Sequence, residues 1–196
     1  MTTHSNREVT GTQTKFGLGA QHQLSSVSIL QYGSPNADLF NMSAVDFTAE
    51  GWFSFTSHPT GRVFLLANYD TAGSKRHWAM TSLDGKLEVL MSNDGTSANT
   101  LVADTEVIPL NQWHHLCIER RASDGAVRLY RNGVLRISAT HAMLSNLAVP
   151  LLVAGSADSF GVMQGYVDEI RITRGVLRYG LAAFTPPAAE FSHWSS

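Results

Sequence analysis

Along most of the chain, apolar and polar residues alternate in short runs that stop at turn dipeptides, the pattern of half-buried β-strands. Residues 126–133 show it plainly: Val127, Leu129 and Arg131 alternate with Arg128 and Tyr130 before Asn132-Gly133 reverses the chain. Three further dipeptides, Asp84-Gly85, Asp94-Gly95 and Asp124-Gly125, tolerate positive φ in the same way. Between these reversals the pattern predicts a meander of strands over residues 77–83, 86–93, 114–121, 126–131 and 134–139. Segments 26–31, 47–57, 63–69, 151–154 and 165–173 bring the total to about ten to twelve strands, enough for two packed antiparallel sheets. No helical period of useful length competes with this reading. In residues 165–174, alternation puts Tyr166, Asp168, Ile170 and Ile172 on one face and Val167, Glu169, Arg171 and Thr173 on the other. Asp168 then lies among aliphatic side chains, where an unpartnered carboxylate is costly, so it reads as a structural acid with a partner elsewhere in the fold.

The stretch from Gly165-Tyr166-Val167-Asp168-Glu169-Ile170-Arg171-Ile172 to Leu177-Arg178-Tyr179 is followed by Phe184-Thr185-Pro186-Pro187 and Phe191. Together with Asp46-Phe47-Thr48-Ala49-Glu50-Gly51-Trp52-Phe53 and Trp113-His114-His115-Leu116, it resembles the laminin-G-like branch of the concanavalin A-like lectin and glucanase superfamily. The resemblance runs from about Lys15 to Phe191 and implies an all-β fold, a two-sheet antiparallel jelly-roll sandwich over residues 15–191. It also implies that Trp52 and Trp113 belong to the core, that Trp113-His114-His115 opens a structural strand, and that Asp168 fixes backbone amides or a neighbouring loop. Residues 1–14 fall outside it as a polar, Thr-rich arm, and residues 192–196 form a tail in which Trp194 covers the sandwich or a partner.

Composition fits one soluble domain of this kind. A chain of 196 residues that is 43% hydrophobic can bury one sizeable core. A formal charge of −2 supplies no basic field for phosphates, which argues against nucleic acid as a partner. No apolar run approaches the length of a membrane span, and the first residues lack the regions of a secretory signal, so synthesis and first folding are expected in a cytoplasm. Cys117, the single cysteine, cannot close an internal disulfide and reads as a small buried hydrophobe between Leu116 and Ile118.

Catalysis finds little support. Glycoside hydrolases of this superfamily carry acids at alternate positions of one strand, so that two carboxylates flank a glycosidic bond about 5–9.5 Å apart. The Glu-x-Asp-x-x-Glu pattern of those enzymes, or one closely similar, does not occur here, and the neighbours Asp168 and Glu169 are expected on opposite faces. Gly-x-Ser-x-Gly is absent, alternation separates His114 from His115, and His22, His77 and His141 are isolated, so no catalytic group and no zinc site is assigned. Calcium is the ion that the resemblance brings up, because relatives hold it with loop carboxylates. Asp70, Asn93, Asp94, Asp104 and Asp158 would supply such oxygens, but Asp near turns is already favoured for positive φ and capping, so no cofactor is assigned.

Sugar binding by sandwiches of this type uses aromatic faces with polar loop residues. Trp78, which follows the polar loop 70–76, joins Tyr69 and Tyr32 as the candidate ligand-binding set, with Tyr179 and Trp194 as further aromatics outside the strongest core signals. Residues 168–187 also look like the ends of domains found in bacteriophage virion proteins and bacterial surface proteins. That resemblance implies a non-enzymatic virion surface protein, a capsid decoration or a head or tail fibre-type component. Such a protein would dock on viral capsid or tail proteins as a symmetric homo-oligomer after synthesis in the host cytoplasm, with loops free to bind glycans. On that reading the 1–14 arm orders on a neighbouring subunit. A free-standing carbohydrate-binding lectin-like module is the alternative, and a glycoside hydrolase comes third.

Overall fold

Asn132-Gly133 closes a two-residue hairpin in which φ is 53° and 76° and Arg131 faces Val134. Asp84-Gly85 does the same at 49° and 81°, with Leu83 facing Lys86. The other two dipeptides sit in longer connections. Asp124 accepts the Arg121 guanidinium and the Ala126 amide, and Asp94 Oδ1 accepts the amides of Thr96 and Ser97 at 2.8 Å each. Both are Asx-type turns that organise their own loops.

The computed structural model describes residues 7–11, 13–17, 20–23, 30–32, 41–70, 75–97, 99–142, 151–155 and 161–192. These form thirteen strands in two sheets. The back sheet runs β1 (Arg7–Thr10), β2 (Ala20–Gln23), β13 (Gln164–Arg174), β4 (Phe47–Ser57), β9 (Trp113–Arg120), β10 (Ala126–Arg131) and β11 (Val134–Thr140). The front sheet runs β3 (Leu30–Tyr32), β12 (Leu151–Val153), β5 (Arg62–Asp70), β6 (Lys75–Leu83), β7 (Lys86–Met91) and β8 (Asn99–Val107). The strand ladders are antiparallel throughout, giving the jelly-roll sandwich. Phe47, Phe53, Phe55, Leu65, Leu66, Trp78 and Met80 are among the side chains of the single large core. Among the described residues no helix is long and apolar enough to cross a membrane.

Three strands were not expected from the pattern: β1, β2 and β8. Part of the expected polar arm, Arg7–Thr10, is edge strand β1, paired with β2 from Arg7 opposite Gln23 to Thr10 opposite Ala20. An edge strand can be polar because the sheet satisfies one side of its backbone and solvent the other. Residues 1–6 and Trp194 lie outside the described residues.

Strand β13 departs from simple alternation. Asp168 faces Trp52 and Arg171 faces Glu50, so three steps on β13 match two on β4, and Glu169 takes φ 50°. This bulge flips the remaining side chains. Val167, Ile170 and Ile172 meet the core, while Asp168 and Arg171 share the outer face of the back sheet, which corrects the expected grouping of Asp168 with Ile170 and Ile172.

The front-sheet edge β8 and the back-sheet edge β11 are clasped by ions. Arg136 forks onto Asp104 at 2.8 and 2.7 Å, and Glu106 takes Arg136 at 2.9 Å and Arg131 at 2.6 Å. Burial raises the Asp104 pKa, but the Arg136 hydrogen bonds, the Glu106 amide and the charges of Arg136 and Arg131 together hold the carboxyl below its ordinary value. The clasp therefore contributes stability above the unfolded carboxyl pKa and loses it as pH falls through the depressed folded value. Between about pH 5 and pH 2 the melting temperature of Asp104→Asn should fall less than that of the parent; an equal fall in both would remove Asp104 from the acid response.

Candidate functional site

The outer face of the front sheet carries an apolar row: Leu152 faces Ala67, Ala67 faces Ala79, and Ala79 faces Leu90. With Phe64 and Tyr69 these form a second hydrophobic cluster, separate from the core. The two alanines keep the floor low, and the Phe64 and Tyr69 rings stand beside them with centroids 5.4 Å apart. In the next row, Phe64 faces Thr81 and Thr81 faces Glu88. Glu88 is 2% exposed, and it accepts Arg62 Nε at 2.7 Å, Arg62 Nη2 at 3.2 Å and Thr81 Oγ1 at 3.1 Å. The hydrogen bond to Glu88 holds Arg62 above its ordinary pKa.

Arg62, Phe64, Tyr69 and Leu90 border a pocket of about 400 Å³ that is also lined by Thr60, Gly61 and Gly161. Its size falls within the range of small-ligand sites, roughly 300–1,000 Å³. Gly161 can line it because its φ is 59° and its carbonyl takes the Phe64 amide at 2.9 Å; a Cβ there would meet Arg62 O at 1.7 Å. Only glycine lets this segment lie so close to β5.

Of the candidate aromatics, Tyr69 lines the pocket. Trp78 does not: it is 1% exposed, lies between the sheets and meets the Phe47 ring at 5.2 Å. Strand β6 starts at Lys75, so Trp78 is well inside it, and it shares the inward face with Met80. Tyr32 faces Leu151 in β3, and its side chain lies outside the described residues, as do residues 71–74 and Asp158. Of the candidate calcium donors, Asp94 is taken up by its own loop and Asp104 by Arg136. Asp70 ends β5 opposite Lys75 and Asn93 is exposed. Among the described residues, no group of three His, Cys, Asp or Glu side chains could hold a metal ion.

Of the two tryptophans expected in the core, Trp52 is buried and Trp113 is only half-buried. Trp52 lies on the outer face of the back sheet, under the Lys15 ammonium at 4.0 Å and the edge of Phe16 at 5.8 Å. The covering segment is held by Asp168, whose Oδ2 accepts the amides of Lys15 at 2.9 Å and Phe16 at 3.2 Å. Glu169 accepts the Phe191 amide. Both neighbouring acids thus reach covering segments, because the positive φ of Glu169 breaks the two-face rule.

Two acids that the sequence reading passed over, Glu50 and Glu119, lie on this same face, since Glu50 pairs with Cys117 and Thr48 with Glu119. Both are fully buried. Glu50 accepts Arg171 at 2.8 Å, His115 Nε2 at 3.1 Å and the Tyr179 hydroxyl at 2.7 Å. Burial pushes its pKa up, but these donors together hold it below the ordinary value, so it is ionised. Glu119 accepts the amides of Tyr179 and Leu181 at 2.8 Å each. Above them the Tyr179 ring stacks on Phe184 at 3.5 Å, and Phe184 meets His115 and Tyr130 edge-on. Each acid is occupied and roofed by the C-terminal strap, residues 175–191, so the pair anchors the strap and faces no open cleft. The sequence does hold a signal: the positions sharing their face include Trp52, His115 and Cys117, an unusual set for a solvent-facing strand surface. His114 points elsewhere and donates to Pro109 O at 2.9 Å. Burial pushes the Cys117 thiol well up, which keeps it protonated.

Residues 31–178 match Laminin_G_3, described as the concanavalin A-like lectin/glucanases superfamily. The chain belongs to the Laminin_G_3 family. The match ends at Arg178, so most of the strap lies beyond the part shared with the family. No curated protein matches this Laminin_G_3 chain. Among solved structures it is similar to domain 4 of AbnA, a GH43 extracellular arabinanase from Geobacillus stearothermophilus, in complex with arabinotriose. That likeness has a TM-score of 0.67 and 17% identity over 91% of this chain and 80% of the other. The CBM40 of the Ruminococcus gnavus IT-sialidase, bound to α2,3 sialyllactose, has a TM-score of 0.56 and 16% identity over 69% of this chain and 79% of that one. A heptameric SAP-like pentraxin from Limulus polyphemus has a TM-score of 0.51 and 17% identity over 85% and 74%. At these identities the likeness is one of fold.

Proposed function

We propose that this Laminin_G_3 domain is a non-catalytic carbohydrate-binding module that takes a sugar ring in the pocket on the outer face of its front sheet. The observation that carries the reading is the pocket's lining: the aromatic and aliphatic surface of Phe64, Tyr69 and Leu90 stands beside the polar groups of Arg62 and Thr60. Sugars need both, an apolar face for their C–H surface and fixed donors for their hydroxyls. Two proteins of the same fold have been solved with sugars bound, arabinotriose and sialyllactose. The non-catalytic part rests on the acids. No carboxylate lines the pocket among the described residues, and Glu88 behind it is engaged by Arg62 and Thr81. Hydrolysis needs two carboxylates facing the substrate.

A glycan array probed with the parent and with Thr60→Trp, which fills the pocket from an exposed position, tests the reading. Binding to a glycan class by the parent and its loss in Thr60→Trp is the expected result. An array with no bound glycan, or release of reducing ends from a bound one, would overturn it. The virion-surface reading, with docking on capsid or tail proteins as a homo-oligomer, is a second proposal and rests on the likeness of residues 168–187 to bacteriophage virion proteins. Mass spectrometry of purified particles tests it: copy numbers near those of the shell protein support a decoration role, and absence from particles refutes it.

A further inference from the structure

We infer that the front-sheet pocket selects a neutral sugar and rejects uronates and sialates. The inference rests on the carbohydrate-binding reading and concerns only which sugars that site accepts.

Arg62 is the only charged residue lining the pocket among the described residues, and its side chain is 36% exposed. An exposed guanidinium in a sugar-sized pocket would ordinarily suggest an acidic ligand, since a carboxylate fits its fork bidentately. Here the Nε–Nη2 edge of the fork is already filled. Nε and Nη2 engage the two oxygens of Glu88, and Thr81 fixes one of those oxygens from the neighbouring strand. The charge of the site is therefore cancelled from behind. A ligand carboxylate that sought the Nε–Nη2 edge would have to pull Arg62 away from Glu88, leaving a carboxylate that is 2% exposed without its counter-ion. If it left the pair intact, it would face a site without net positive charge.

A sugar hydroxyl makes no such demand. Arg62 Nη1 has no protein acceptor among the described residues, and Thr60 stands at the rim, so N–H and O–H donors remain for neutral oxygens while the ion pair stays closed. Phe64, Tyr69 and Leu90 supply the apolar side. Glu88 is thus a specificity residue that acts through Arg62 without touching the sugar.

The test measures binding of the full chain to matched neutral and acidic oligosaccharides by calorimetry: lactose against sialyllactose, and xylotriose against its glucuronate-bearing form, with arabinotriose as a further neutral probe. The parent should bind one or more neutral members and bind the acidic partner about tenfold or more weakly. Arg62→Met should weaken neutral binding about tenfold. Glu88→Gln keeps the shape and the Thr81 contact but releases the Arg62 charge, so it should gain affinity for the acidic partner. Thr60→Trp, at an exposed site, covers the case in which an Arg62 or Glu88 variant fails to fold, and should abolish binding. A parent that prefers the acidic members overturns the inference while leaving the carbohydrate reading in place. Neutral binding unchanged in both Arg62→Met and Thr60→Trp also overturns it, because the ligand then sits elsewhere. Failure to bind any sugar removes the carbohydrate reading itself.

Discussion

Glu50→Ala should lower the free energy of unfolding by about 3–5 kcal/mol, the range seen when one partner of a buried ion pair is removed. Glu50 is fully buried, and its two oxygens receive Arg171, His115 and Tyr179. Without it, Arg171 remains covered by the Phe191 ring 3.7 Å away with no acid to meet, and a ring N–H and a phenol hydroxyl lose their acceptor inside the fold. Glu50→Gln keeps the volume and part of the hydrogen bonding, so its loss should be smaller. Urea denaturation of both variants measures the effect. A loss below about 1 kcal/mol for Glu50→Ala would mean that the strap is held by other contacts and that this hub is incidental.

The second large effect is expected at Gly133. Its φ of 76° strains any other residue by about 1–3 kcal/mol. A Cβ at this position would also meet Phe184 O at 1.7 Å and Phe184 C at 2.8 Å, both backbone atoms that cannot swing aside. Gly133→Ala should therefore push the strap off the sheet, breaking the Phe184 N–H bond to Gly133 O and the ring contacts of Phe184 with Tyr179, His115 and Tyr130. Aromatic pairs of this kind contribute about 0.5–1.5 kcal/mol each. Gly175→Ala is the control: φ is 83° there as well, but nothing lies within 4 Å of the added carbon. Faster amide exchange over residues 179–191 in the Gly133 variant than in the Gly175 variant would place the damage in the strap. Equal exchange in the two would reduce the effect to local backbone strain.

The pocket and the strap were differently visible beforehand. Tyr69 was within reach of sequence reasoning because it is an aromatic beside a polar loop, yet the same rule selected Trp78, which packs between the sheets. Both lie on strands joined by one loop; what separates them is which face of its strand each occupies, and a register shift between Asn68 and Tyr69 intervenes. Arg62, Glu88 and Thr81 come from three strands, and the charge balance of the pocket exists only where those strands meet. Likewise Glu50 and Glu119 lie far apart in the chain and share a face through the pairing of β4 with β9.

Local rules carry the hairpins at Asp84-Gly85 and Asn132-Gly133, the core strands β4, β5, β9, β10 and β13, and the sandwich class, because positive-φ turns and period-two alternation act between near neighbours. The family-like segment from Gly165 to Tyr179 could be recognised for the same reason, as one contiguous run of residues. Tertiary structure alone decided the edge strands β1 and β8, whose backbones are satisfied by partners instead of by an apolar pattern. It also decided the bulge that turns Asp168 and Arg171 outward, where the two grip the N-terminal segment and Glu50. The roofing of two acids and the neutralising of Arg62 by Glu88 belong to the same class. A charge's partner, and therefore its cost and its use, is set by distance in space, and in a sandwich with these long-range pairings that distance is unrelated to separation along the chain.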